Sequence, residues 1–233
     1  MKIISKYYLN LKKSKAMFQS KKDTVYVVLA GIFITNAIVA ELIGGKLIHV
    51  GSAVMSIGIL PWPIVFVTTD LINEYFGENG VRKLSLITAS LIAYTFIILY
   101  LAMQIPAVNG EKLVSDEQFN GVFGQSMWII VGSITAFIVS QIIDVSIFHS
   151  VKNRTGDRMI WLRSTGSTVI SQLFDSFIVL GIAFWMTGKM DTPTFIVSAF
   201  TGYGVKLAIA ILMTPLIYLG HALIERYIAK DGK

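Results

Sequence analysis

The residues best suited to chemistry are charged side chains set in stretches that otherwise read as lipid-soluble. Asp70, Asp144, Asp175 and Lys206 each lie well inside a long apolar run, with Glu41 and Glu74 nearer the ends of theirs. A charge at the centre of a bilayer costs about 2.5–3.5 kcal/mol even on a lenient insertion scale. Such groups therefore face a shared interior or a wet cavity, and their usual work is binding or transport. Glu41 and Glu74 are close enough to their span ends to snorkel to water, whereas the other four are not. Asn36, Gln141 and Gln172 add uncharged polar groups in the same runs.

Two of the carboxylates belong to a repeated pattern. Ser133, Ser140, Gln141 and Asp144 recur 31 residues later as Ser164, Ser171, Gln172 and Asp175. At 100° per residue, Ser133, Ser140 and Asp144 point within about 40° of one another, and so do their counterparts. Thr168 and Gln172 extend the second stripe. One helix and a loop separate the copies, so the two helices run antiparallel. The expectation is a short inverted repeat in which Asp144 and Asp175 approach each other at mid-membrane depth. Lys206 would neutralise one carboxylate. It stands in Thr201-Gly202-Tyr203-Gly204-Val205-Lys206, whose glycines admit a flat ligand or another backbone. Three aspartates against one lysine leave the pocket net negative. That suits a ligand presenting several N–H donors, and it suits proton coupling, in which a carboxylate takes up and releases a proton in each cycle.

Other chemistries have little to work with. The chain has no cysteine, which removes disulfides, thiolate metal sites and cysteine nucleophiles. Its three histidines, His49, His149 and His221, form no zinc-binding spacing. No metal site, cofactor or catalytic residue is therefore expected. An intramembrane aspartyl protease would need Gly-x-Gly-Asp, but Gln141-Ile142-Ile143 precedes Asp144 and Gln172-Leu173-Phe174 precedes Asp175.

The elements that must position these groups follow from composition. In 233 residues, 54% are hydrophobic and only 15% charged, with a mean hydropathy of +0.67. Soluble domains carry about 25% charged residues. Six stretches reach the roughly 20 apolar residues that a bilayer helix needs: 24–45, 52–77, 84–106, 125–150, 164–188 and 193–221. Of the 20 basic residues, 16 fall in the N-terminal tail, in the 82–83 and 152–163 loops and in the C-terminal tail. Lys46, Lys112 and Lys189 stand opposite. By the positive-inside rule both termini are cytoplasmic. Residues 1–23 form a basic tail that lacks a signal-peptide cleavage pattern and that suits orientation and anionic lipid rather than nucleic acid. Residues 24–225 form one transmembrane domain, and 226–233 a short basic tail. Pro61-Trp62-Pro63 disfavours a continuous second helix: either a helix starts near Pro61 and ends near Phe76, or the prolines kink a longer tilted one. In the first case residues 47–60 before it should form a re-entrant or hairpin element. The expected fold class is an all-α integral membrane protein of six transmembrane helices, with a broken or re-entrant element before helix 2. The loop at 107–124 reads either as an interfacial helix or as an external gate.

Five blocks in order carry a family resemblance: Asn36; Thr69-Asp70-Leu71-Ile72-Asn73-Glu74-Tyr75-Phe76-Gly77; Ser140-Gln141-Ile142-Ile143-Asp144; Ser167-Thr168 with Ser171-Gln172 and Asp175-Ser176-Phe177; and Tyr203, Lys206 and Thr214-Pro215. Over about residues 25–225 the chain resembles the queuosine precursor transporter family, the vitamin-uptake-transporter-like proteins. The resemblance implies a six-span protein of the bacterial inner membrane that imports 7-deazaguanines, chiefly 7-cyano-7-deazaguanine and its aminomethyl relative, for tRNA modification. It places Asn36, Asp70, Asp144, Asp175 and Lys206 on the family's polar motif positions, while Glu74 and Gln172 fall where members vary. The chemistry agrees. A 7-deazaguanine has a donor edge for a carboxylate, a carbonyl that can accept from Gln141, Gln172 or Lys206, and a flat face for Trp62, Tyr75, Phe174, Phe177, Trp185 or Tyr203. Glu74, Ser140, Ser171 and Thr168 would support these contacts. The alternative is a substrate-binding subunit of an ATP-driven importer. Without a Walker A pattern, ATP hydrolysis would need another chain. Oligomeric state is left open, a homodimer included.

Overall fold

The computed structural model describes residues 20–44, 46–50, 53–108, 113–124, 127–156 and 159–229. Most of the basic N-terminal tail, residues 109–112 of the polar loop and the last four residues lie outside them.

The first helix, α1, spans Lys21–Ile43 and opens on a capping box in which Ser20 and Asp23 satisfy each other's amides. Strands β1 (Leu47–Val50) and β2 (Ala53–Ser56) pair antiparallel, Leu47 opposite Ser56 and Val50 opposite Ala53. The hairpin expected before helix 2 is thus present, and it is the departure from an all-α chain among the described residues. Ser56 ties it to α1 by donating from Oγ to the Gly44 carbonyl at 2.6 Å. A short 3-10 turn, Ile57–Ile59, follows. Its Gly58 sits so close to α1 that a Cβ would lie 2.6 Å from the Ala40 carbonyl oxygen.

Helix α2 spans Trp62–Met103, with Pro61 as its cap and Pro63 in the first turn, where a missing amide costs nothing. It is interrupted at Gly77, whose φ of 73° and ψ of 178° are not helical. In a straight helix residues 72 and 80 would be about 12 Å apart along the axis. Here a Cβ on Gly80 would lie 4.0 Å from a methyl of Ile72 and 3.2 Å from the Cβ of Phe76. The chain therefore folds sharply on one glycine, and α2 has two arms, 62–76 and 78–103. The loop expected around Arg82 and Lys83 is instead helix, and Arg82 pairs with Glu78 one turn earlier at 2.5 Å. A sharp turn needs only a residue tolerant of positive φ, so no loop was required.

Helix α3 (Asp116–Phe123) is short and exposed and opens on a Ser115–Gln118 capping box. Helix α4 spans Met127–Thr155 and α5 spans Ile160–Leu180. A π-helical turn, Gly181–Trp185, continues α5. Helix α6 spans Thr192–Ala229 and runs on through Pro215. Residues 21–23 and 226–229, expected in the tails, are helical.

Among the described residues, five helical stretches are long and apolar enough to cross a membrane, one of them the folded α2. The helices meet over a core that includes Phe33 and Ala37 of α1, Val65, Ile72 and Ile92 of α2, and Phe137 and Val145 of α4. Close approaches set their spacing. Gly132 of α4 lies against the Val179 carbonyl, and Gly220 of α6 lies against Leu71 of α2. Large apolar side chains such as Leu101, Val197 and Leu212 point outward, as lipid-facing residues do. The chain is a helical, multi-pass membrane protein.

Candidate functional site

Helix α5 is apolar on the outside and polar on the inside. Every buried residue along it is polar: Arg163, Ser164, Ser167, Thr168, Ser171, Gln172, Asp175 and Ser176. A buried polar group is tolerated only when it finds partners. Here the partners are carboxylates from neighbouring helices, met in order along α5.

At the first turn of α5, Arg163 is 1% exposed. It holds Glu74 of α2 at 2.7 Å and donates to the Gly156 carbonyl at 2.7 Å. Its guanidinium lies 5.8 Å from the ring centroid of Phe148. Lys152 of α4 joins Glu74 at 3.2 Å. Beside Glu74, Tyr75 bonds His221 Nδ1 at 3.0 Å. The next residue of α5, Ser164, donates to Asp70 Oδ2 of α2. One to two turns further, Thr168 and Ser171 donate to Asp144 Oδ1 of α4, at 3.4 and 3.1 Å. Asp70 and Asp144 lie close enough to feel each other's charge. Asp175 comes last, about 18 Å along the axis from Arg163, and pairs with Lys206 of α6. Glu41 of α1 accepts from Ser133 of α4 and lies within electrostatic reach of Asp175 and Lys206.

Several sequence expectations change. Asp144 and Asp175 do not bond each other. Antiparallel packing sets Asp144 against Ser171, which leaves Asp175 about 6 Å further along the axis. The repeat is therefore matched crosswise, aspartate to serine, on one side only. On the other side Ser140 turns back to its own helix and donates to the Phe137 carbonyl at 3.2 Å. Glu41 and Glu74 do not snorkel, because Ser133 and the Arg163–Lys152 pair hold them inside. Asn36 is half-buried and donates to the Ile32 carbonyl of its own helix at 2.9 Å. Gln141 is buried and lines a cleft of about 210 Å³ with Arg82, Ser85, Leu86, Ile138 and Ile142, on the α2–α4 side. Gln172 is buried on α5.

Most of the aromatic candidates for stacking are already engaged. Trp62 packs on Phe66 and Phe137, Phe177 on Phe195 and Phe200, and Trp185 on Phe195, while Tyr75 meets His221 and Phe174 points outward. Tyr203 is half-buried three residues before Lys206, and Gly202 and Gly204 beside it have open space where a Cβ would stand.

Sequence reasoning missed two participants. Arg163 was counted as a loop cation, yet it stands four residues before Ser167 and eight before Ser171, on the same helical stripe. Asn73 went unremarked outside the motif, three residues after Asp70. It is fully buried, and neither its Nδ2 nor its Oδ1 has a partner among the described residues.

Comparison with known proteins gives this architecture a family. A model described as "putative vitamin uptake transporter" matches residues 56–220. A probable queuosine precursor transporter of Bacillus subtilis is 29% identical over 181 residues, 77% of each chain. A queuosine precursor transporter of Escherichia coli K12 is 28% identical over 131 residues, 55% of this chain and 54% of its own. A probable one of Haemophilus influenzae is 25% identical over 136 residues, 56% and 52% respectively. No solved structure matches. With most of the membrane-embedded length matched and a buried polar stripe at its centre, the chain belongs to the putative vitamin uptake transporter family and is a membrane transporter, not an enzyme.

Proposed function

We propose that this chain imports 7-deazaguanine precursors of queuosine, chiefly 7-cyano-7-deazaguanine and its aminomethyl form, across the bacterial inner membrane. The observation that carries the reading is Asp70. It is 3% exposed, accepts at Oδ2 from the Ser164 hydroxyl and keeps a buried Oδ1 with no partner among the described residues. Such an atom costs about 1–3 kcal/mol unless something donates to it. The ring N–H and exocyclic amine of a guanine-type base are donors of the required kind. Asp144, which accepts from the Thr168 and Ser171 hydroxyls, lies beside it. The relatives named queuosine precursor transporters point to the same substrate class. Tyr203, with open space around its flanking glycines, and Lys206, paired with Asp175, belong to a layer about 16 Å along α5 from Ser164, where they would line the path of the base rather than touch it at Asp70.

The proposal includes six crossings, with the two arms of α2 as separate spans and both termini in the cytoplasm. Because the chain has no cysteine, single cysteines placed at residues 20, 79, 107, 156, 189 and 228 report their side directly through an impermeant thiol reagent. Function is tested in a bacterium that can neither make the precursor nor import it. The chain should restore queuosine in tRNA when 7-cyano-7-deazaguanine is supplied. No restoration, with the protein present in the membrane, would overturn the assignment. Uptake by the purified protein in liposomes, with and without a pH gradient, tests proton coupling and separates a free-standing carrier from a subunit that needs an ATP-driven partner.

A further inference from the structure

Resting on that reading, we infer that Asn73 is a specificity-determining residue that reads the base together with Asp70. Both belong to the first arm of α2, three residues apart, which puts their side chains on one face with Cβ atoms about 5–6 Å apart. Asn73 is 0% exposed and Asp70 is 3% exposed. Among the described residues, three of their polar atoms are buried and unpartnered: Asn73 Nδ2, Asn73 Oδ1 and Asp70 Oδ1. Whichever way the amide is turned, the set comprises one donor group and two acceptors.

That inventory is the complement of one nucleobase edge. The Watson–Crick edge of a guanine or 7-deazaguanine carries one acceptor, O6, followed by two donors, N1–H and the exocyclic amine. The Asn73 amide answers O6 with its N–H and N1–H with its oxygen. Asp70 Oδ1 then takes the exocyclic amine. An adenine-type edge, with one donor and one acceptor, can engage the amide but leaves the carboxylate oxygen facing a C–H. A site built to hydrogen-bond a group rejects analogues that lack it by large factors, because its own buried atoms go unpaired. Among the described residues Ser85, Gln141 and Ser176 each leave one buried polar atom unpartnered, whereas Asn73 leaves both of its own.

The test uses the full chain in cells, with labelled 7-cyano-7-deazaguanine competed by its O6-methyl and 2-desamino analogues. Wild type should prefer the parent base over each by at least about a hundredfold. Asn73→Leu removes both orphan atoms at similar volume, so it should reach the membrane at the normal level. Its uptake should fall at least tenfold, with the O6-methyl discrimination collapsing and the 2-desamino discrimination persisting. Asn73→Ala should show the same selectivity pattern. Normal uptake and selectivity in Asn73→Leu would overturn the inference. So would its failure to accumulate in the membrane, since Asn73 would then serve the fold. If wild type imports no 7-deazaguanine, the functional proposal itself fails, an outcome distinct from either.

Discussion

The carboxylates along α5 fall into two groups by what holds them. Glu74, near one end, is held by Arg163 and Lys152, and Asp175, towards the other, is held by Lys206. Among the described residues, Asp70 and Asp144, between them, form no ion pair and accept from hydroxyls of α5: Ser164, Thr168 and Ser171. A cation cancels a buried carboxylate's charge and locks its position, whereas a hydroxyl satisfies one lone pair and leaves the charge. A ligand N–H can replace or add to a hydroxyl at small cost, but it must compete with an ammonium or guanidinium at large cost. The ion-paired layers therefore read as clasps between helices, and the hydroxyl-capped layer between them is where the proposed donor-rich substrate would be received.

That contrast can be broken most directly at its strongest clasp. Arg163→Met leaves Glu74 with Lys152 alone and should lower stability by about 3 kcal/mol, read as thermal unfolding in detergent. A negligible change would mean that the buried guanidinium is not a clasp. Next in size, Asp70→Asn keeps an acceptor for Ser164 and should leave the fold within about 1 kcal/mol of wild type. Precursor uptake should nevertheless drop at least about a hundredfold, since the charge that meets the base is gone. Lys206→Met should cost about 2 kcal/mol by stranding Asp175, and the double variant with Asp175→Asn should recover most of it. Additive losses would show that the two residues act apart. The smallest effect belongs to Asp144→Asn. Its new amide oxygen still accepts from Thr168 and Ser171, so about 1 kcal/mol or less is expected. Equal destabilisation by Asp144→Asn and Asp175→Asn would erase the distinction between the two groups.

Much of the arrangement was legible beforehand because bilayer physics is severe. A charge inside an apolar run has few permitted destinations, so Asp70, Asp144, Asp175 and Lys206 could be picked out as inward-facing, and all four are turned inside. Pro61 and Pro63 announced the start of α2 because a proline has no amide for the turn before it. Less legible was everything that depends on which helix lies against which. Arg163 looked like a cytoplasmic anchor because its sequence neighbours are basic, while in space its neighbours are Glu74 and Phe148. Nor could the sequence say that the Asn36 Nδ2 donates to the Ile32 carbonyl of its own helix.

Periodicity and charge alone determined that this is a membrane-embedded helical chain with acidic groups facing its interior and a basic bias in its loops. Both are local properties, set by transfer free energies that each residue carries wherever it stands. Tertiary packing decided the rest. The offset of α4 against α5 sets Asp144 beside Ser171 rather than beside Asp175. The fold at Gly77 places both arms of α2 in the core, and α6 delivers Lys206 to Asp175. Pairings between distant segments depend on the sum of many weak contacts, and no single stretch of sequence contains that sum.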